Sequence, residues 1–142
     1  MNISAKTEYA CIAVLELAAR YDHGKPVRIR DIAAANGIPS RFLVQILLQL
    51  KSAGIVGSTR GAAGGYQLVK PPGEISLADV MAVSDGQSTD PVTSVERESA
   101  ASRTLMDSWR KVAAVEREML DAITFADLTE RAAEQMDNMY YI

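Results

Sequence analysis

The segment DIAAANGIPSRFLVQILLQLK (residues 31–51), followed by RGAAGGY (residues 60–66), decides how this chain folds. A short helix is predicted from Arg30 to Asn36, with Ile32 and Ala33 facing inward. Gly37 follows where a left-handed cap belongs. Ser40 is the expected N-cap of a second helix. That helix carries Leu43, Ile46, Leu47 and Leu50 on one face, at i, i+3, i+4 and i+7, and Gly54 ends it. The period then changes. Ile55-Val56 and Tyr66-Gln67-Leu68-Val69 suit two strands, with Gly61-Ala62-Ala63-Gly64-Gly65 as the turn between them. Two helices around Gly37-Ile38-Pro39 followed by a Gly-rich ribbon describe a winged helix-turn-helix. Spacing alone also fits an ordinary helical hairpin packed on a small sheet.

Outward from this segment the chain stays helical. Between Ala10 and Ala19 the only charge is Glu16, and Tyr9, Ile12, Leu15 and Ala18 recur at helical spacing, which predicts a mostly buried helix. His23-Gly24-Lys25-Pro26 breaks it. Downstream, Pro71-Pro72-Gly73 reads as a linker. Ser76 with Asp79 resembles a capped helix start, and Gly86 closes that helix. Residues 86–95 (GQSTDPVTSV) are loop-like. A long helix is expected over residues 99–123, with Leu105, Trp109, Val112, Val115 or Glu116, Met119 and Ile123 near one stripe. Thr124 with Asp127 caps a final helix, and the chain ends Tyr140-Tyr141-Ile142. The expected fold class is mainly α with a small β-wing. Residues 1–86 form a winged helix-turn-helix domain, and residues 87–142 a loop, a long dimerisation helix and a C-terminal helix with its tail.

The chain has 142 residues, 48% apolar and 23% charged, enough to bury a core without disulfides. One cysteine excludes any site that takes two thiolates from one chain. No apolar run nears the ~18 residues of a membrane span, and no signal-peptide layout opens the chain, so a cytoplasmic protein is expected. The net charge of −3 conceals a split. Residues 1–70 carry nine Lys and Arg against four Asp and Glu, whereas residues 71–142 carry six against fourteen. A basic half suits an anionic partner and leaves the acidic half for another task.

The outer face of the second helix favours double-stranded DNA as that partner over the plain helical hairpin. Opposite the leucine stripe lie Arg41, Gln45 and Ser52, with Ser40 at the N-terminus. Arg and Gln make paired hydrogen bonds to guanine and adenine edges in the major groove, and a helix N-terminus offers free N–H groups to phosphate. Leu48 shares this outer face, which suits contact with another element better than a groove. Arg60 stands just before the turn, where one Arg can enter a narrow minor groove. Gly64 and Gly65 allow close backbone approach beside Tyr66, or simply make the turn. Arg28, Arg30, Lys25 and Lys51 fit phosphate contacts, and equally fit solvated surface charges. The stripe Leu105, Trp109, Val112 and Met119 lies on a helical run of about 35 Å (residues 99–123), longer than a small domain needs for its own core. It predicts a homodimer reading a palindromic operator.

Ile3-Ser-Ala-Lys-Thr-Glu-Tyr-Ala10, Ile32-Ala-Ala-Ala-Asn-Gly-Ile-Pro-Ser-Arg-Phe-Leu43 and above all Arg60-Gly-x-x-Gly-Gly-Tyr-x-Leu68 resemble the Rrf-two family of bacterial winged-helix regulators. The resemblance covers nearly the whole chain and is strongest over residues 1–86. It implies a recognition helix at about 40–52, base-reading positions at Arg41 and Gln45, a wing arginine at Arg60, and dimerisation through the long helix. It also implies a sensor in the loop after Gly86, where cluster-binding members hold iron with three cysteines. This loop has none, and Val44 stands where those members often carry Glu. Iron–sulfur ligation needs thiolates or imidazoles, and the chain offers only Cys11 and His23. Cys11 reads as a small buried hydrophobe, His23 as a solvated turn residue, and Glu8, which matches an unusual carboxylate ligand of some relatives, as a surface charge. No metal or cofactor is therefore expected.

The Asp90-Pro-Val-Thr-Ser-Val95 loop, the Trp109-centred helix and the Tyr140-Tyr141-Ile142 ending are similar to the cluster-free cysteine-metabolism repressors of the family, the CymR subgroup. That subgroup implies a partner enzyme, the O-acetylserine sulfhydrylase, captured through the tail. Alternatively, Tyr140 and Ile142 pack onto the dimer. The expected function is a homodimeric transcriptional repressor, with control of cysteine or sulfur metabolism implied by the subgroup. The alternative is a protein-interaction regulator that acts through its tail with little DNA binding. An enzyme is not expected, because no nucleophile–base grouping, metal-ligand spacing or phosphate loop is present.

Overall fold

Ser4 starts the first helix by accepting a hydrogen bond from the Thr7 amide at 3.1 Å. From there α1 runs Ala5–Ala19. In the computed structural model the described residues are 1–86 and 90–140. The buried face of α1 differs from the expected one: Thr7, Ala10, Ala13, Val14, Leu17 and Ala18 are sealed. Tyr9, Ile12 and Leu15 lie at the margin, only partly covered. The alanines let neighbouring helices approach closely, so the larger residues take the edges.

After a 3₁₀ turn at Tyr21–His23, α2 spans Ile29–Asn36 with Ile32 and Ala33 buried, as expected. Gly37 adopts φ 65° and donates its N–H to the Ala33 carbonyl, a left-handed cap open to glycine at little cost. Next comes α3, Ser40–Ser52, whose buried residues are Leu43, Ile46, Leu47 and Leu50. Ser40 is not its N-cap. Pro39 holds that place with φ −62° and ψ 128°, without a side-chain bond, and its carbonyl accepts from the Phe42 amide. The proline ring fixes φ near the required value, so the helix starts one residue earlier than the Ser40 side chain would dictate.

Strands β1 (Val56–Thr59) and β2 (Gly65–Leu68) pair antiparallel, with Val56 opposite Leu68 and Thr59 opposite Gly65. Ile55 and Val69, expected inside the strands, flank them instead, joined by a 3.1 Å bond from the Val69 amide to the Ile55 carbonyl. Val27 adds one more rung, exchanging two 2.8 Å backbone bonds with Tyr66.

Pro71-Pro72-Gly73 is no free linker. Pro72–Glu74 forms a 3₁₀ turn that packs on the last helix. α4 spans Leu77–Asp85 behind a capping box of Ser76 and Asp79. Residues 90–98 lack regular structure, while α5 spans Ala100–Ala122 and α6 spans Phe125–Tyr140. Thr124 and Asp127 cap α6 through reciprocal backbone bonds. The C-terminal segment re-enters the core laid down by the first helices. Phe125 is fully buried there, its amide donates to the Ile75 carbonyl, and the Leu77 amide donates to that of Ile123. A polar knot ties the end of α4 to the start of α1. The Ser4 and Thr7 hydroxyls donate to the Asp85 carboxylate, and Thr7 also bonds Ser84.

Candidate nucleic-acid interface

Burying the leucine stripe of α3 against α1 and β1 turns its other face outward. Ser40, Arg41, Phe42, Val44 and Gln45 are all exposed on its first turns. The Arg41 guanidinium lies over the Phe42 ring, 5.0 Å from its centroid. Phe42 in turn meets Tyr9 of α1, with centroids 6.0 Å apart and the planes tilted by 32°. Leu48, also outward and 46% exposed, borders a shallow hollow with Ala82 and Val83 of α4.

Lys51, near the end of α3, donates to the Ser58 hydroxyl of β1 at 2.7 Å, fastening the helix to the wing. Arg60 is exposed just past β1. Arg28, the N-cap of α2, and Arg30 border a shallow hollow of about 520 Å³ together with Thr59, Gly64, Gly65 and Tyr66. The structure thus brings Arg28 to the base of the wing and Lys51 to its first strand.

The two wing glycines serve the chain itself. A Cβ at Gly64 would stand 2.1 Å from the Thr59 carbonyl oxygen. At Gly65, with φ 155°, it would stand 2.5 Å from that of Val27. Both lie below any real contact distance, so close backbone approach here is intramolecular. The Tyr66 ring, expected at the DNA face, packs partly buried against the core.

Among the described residues, most cations of both halves enter no ion pair. Among the described residues the ion pairs are Arg20–Glu16, Arg103–Glu98 and Arg117–Asp90. Arg28, Arg41, Lys51 and Arg60 enter none. In the acidic half, Arg117 pairs with Asp90 and Arg110 donates to the Pro91 carbonyl, which straps the 90–98 loop to α5. On α5 itself no residue is buried. Leu105 and Trp109 are half exposed, and Val112 and Met119 more so. Of the tail, Tyr141 and Ile142 lie outside the described residues, as does the side chain of Tyr140.

The donor set does not fit an iron–sulfur cluster. The chain has one cysteine and one histidine. Burial, aided by the Asp85 carboxylate, pushes the Cys11 thiol up to about 11, so at neutral pH it is protonated and a poor ligand. Among the described residues no group of three His, Cys, Asp or Glu side chains is placed to hold a metal, and no helix is long and apolar enough to cross a membrane.

Sequence reasoning missed Tyr9, Phe42 and Ser58 as partners of the candidate readers. Tyr9 and Phe42 meet only through the α1–α3 packing, so no local pattern marks them. Arg41 beside Phe42 was the one available hint.

Comparison with known proteins agrees with this geometry. The Rrf2 family model, described as an iron-dependent transcriptional regulator, matches residues 3–131. CymR of Bacillus subtilis is 36% identical over the full length of both chains. Its solved structure, named there the global cysteine regulator, superposes with a TM-score of 0.81 over 92% of this chain and 98% of its own. A Mycobacterium tuberculosis protein named for a helix-turn-helix regulator is 40% identical over 97% of this chain and 90% of its own. The structure of T. potens IscR matches with a TM-score of 0.76 at 32% identity, over 95% of this chain and 90% of its own. The chain belongs to the Rrf2 family of transcriptional regulators and shares the winged-helix fold of CymR and IscR.

Proposed function

We propose that this chain is a homodimeric transcriptional repressor that reads a palindromic operator and takes its signal from something other than an iron–sulfur cluster. One observation carries the DNA-reading part: among the described residues Arg28, Arg41, Lys51 and Arg60 have no carboxylate partner, although the protein is acidic overall. Unneutralised cations on one element set keep their charge for phosphate. In this reading Arg41 and Gln45 meet base edges, and Ser40 and the start of α3 meet phosphate. Arg60 enters the minor groove, and Arg28 and Lys51 hold the backbone. Gly64, Gly65 and Tyr66 fix the wing that carries Arg60.

The exposed stripe on α5 supports the dimer. Two copies joined there present two recognition helices about 34 Å apart, or a multiple of it, which demands a two-fold symmetric site. Likeness to the B. subtilis global cysteine regulator supports control of cysteine metabolism. From the resemblance of the Tyr140-Tyr141-Ile142 segment to the cysteine-metabolism repressors, we further propose that an O-acetylserine sulfhydrylase captures it. The reading in which the chain acts only through its tail draws no support from relatives that are transcriptional regulators.

Selection of bound sites from a random duplex library tests this function. The expected product is a palindrome. Arg41→Ala or Gln45→Ala is expected to cost about 1–3 kcal/mol at one or two of its positions, whereas Lys51→Ala weakens every duplex alike and lowers the salt slope by about one unit. Equal losses on selected and random duplex for Arg41 and Gln45 would reject direct readout. Titration with the host sulfhydrylase, with and without Tyr141-Ile142, tests the tail: undiminished binding by the shortened chain, or none by the intact one, removes it from the account.

A further inference from the structure

We propose that Phe42 and Tyr9 are positioning residues that hold Arg41 ready for its base, so that part of the operator specificity is set by two aromatic rings that touch no DNA. This rests on the reading of Arg41 as a base contact. An arginine on an exposed helix face has a long, freely rotating stem, and ordering that stem on binding opposes affinity. Here the guanidinium is already seated over a ring face, where the negative quadrupole of the ring attracts the cation. Phe42 is itself 44% exposed, so packing on α3 alone does not fix it.

What holds the ring is Tyr9, reaching across from α1. The two rings border an apolar hollow of about 370 Å³ together with Ala5, Lys6, Gln45 and Ile46. That space leaves Phe42 without close support on this side, so its orientation depends on the tilted contact with Tyr9. The second candidate reader, Gln45, stands on the rim of the same hollow. The start of α1 thereby supports the reading end of α3, without itself entering a groove.

The test compares Phe42→Leu, Phe42→Tyr and Tyr9→Leu with Arg41→Ala, each alone and in combination, on the selected operator and on random duplex. Loss of an exposed cation–π contact corresponds to about a two- to fivefold loss of affinity. Phe42→Leu is expected to show that loss on the operator only, at the same base positions that Arg41→Ala loosens, with an unchanged salt slope. Tyr9→Leu is expected to show a smaller copy of it, and Phe42→Tyr, which keeps the ring, to behave as wild type. In the Arg41→Ala background Phe42→Leu is expected to cost nothing more. In the free protein the Arg41 δ-methylene protons are expected to carry a ring-current shift that Phe42→Leu abolishes and Phe42→Tyr keeps. Additive losses, equal losses on random duplex, tighter binding by Phe42→Leu, or no ring-current shift would each overturn the proposal while leaving DNA reading in place. A wild-type protein that selects no sequence would instead overturn the reading on which it rests.

Discussion

Leu43, Leu47 and Leu50 on α3 are fully buried, whereas Leu105, Trp109, Val112 and Met119 on α5 are each at least half exposed. Both helices carry their apolar residues along one stripe, and both stripes were visible as a helical period. What separates them is the surface opposite. α3 is enclosed by α1, α4 and β1, while among the described residues α5 packs chiefly on α4 and buries no residue of its own. Periodicity therefore reports that a helix has something to cover, and says nothing about whether the cover belongs to the same chain. The proposed dimer rests on this apolar stripe left to solvent, the kind of patch that association surfaces carry.

The sharpest way to probe this contrast is to empty the packed side. Phe125→Ala is expected to destabilise the fold by about 3–5 kcal/mol, because a fully buried ring leaves a cavity behind. Denaturant unfolding monitored by circular dichroism measures it. A loss below about 1 kcal/mol would show that the C-terminal segment is not part of the core.

On the open side the expected effect depends on concentration. Trp109→Asp is expected to weaken self-association by about 2–4 kcal/mol, as for a central aromatic anchor, while the folding of each chain is little altered. Sedimentation across a dilution series separates the two. A wild-type protein that remains a folded monomer at micromolar concentration would break the comparison, since the stripe would then have no second copy to meet.

The wing gives a smaller and purely local effect. Gly65→Ala is expected to cost about 1–3 kcal/mol, because the new methyl meets the Val27 carbonyl and the backbone sits at a φ that side chains rarely adopt. DNA affinity should fall with it, because the rung between Val27 and Tyr66 anchors the turn that leads from Arg60. Unchanged stability would mean that the β2–Val27 contact yields without cost.

The smallest expected effect sharpens the packed half through its one thiol. Cys11 titrates at about 11 when folded, above its ordinary 9.0. The raised value means that the folded state keeps its proton while the unfolded chain loses it. The stabilising contribution is therefore complete below about pH 9 and declines as pH rises toward 11. Cys11→Ala should flatten that part of the stability–pH curve. At pH 8 the native thiol should react slowly with iodoacetamide, and rapid alkylation would show that α1 is looser than its packing implies.

Much of the fold was legible because strong local signals agreed with tertiary structure. Gly37, the Ser76–Asp79 box and the α3 stripe each allow one local outcome, and the structure realises it. The inward face of α1 was not legible. Tyr9, Cys11, Ile12 and Leu15 all receive partial cover as well as the buried stripe, so a helix that is apolar nearly all round leaves its orientation to its neighbours. The Ser40 cap failed because the backbone preference of Pro39 outweighed a side-chain bond. At the candidate interface, sequence supplied Arg41, Gln45 and Arg60 as residue types suited to DNA. It could not supply the ring under Arg41, the Lys51–Ser58 tie or the backbone that fills the space beside Gly64 and Gly65, because each is a contact between elements. The burial of Phe125 escaped for the same reason.

The knot of Ser4, Thr7 and Asp85 has a consequence for how the protein is made. Its bonds join residues up to 81 positions apart, and Phe125 enters the same core from still further along. A ribosome adds about 5–20 residues per second, so α1 leaves the exit tunnel seconds before the groups that cap and cover it. Contacts of such long sequence separation form late. A nascent chain that stalls before residue 125 can therefore pack α1 against α3 and α4, yet still lacks the Phe125 ring and the α6 contacts that complete the cover of α1.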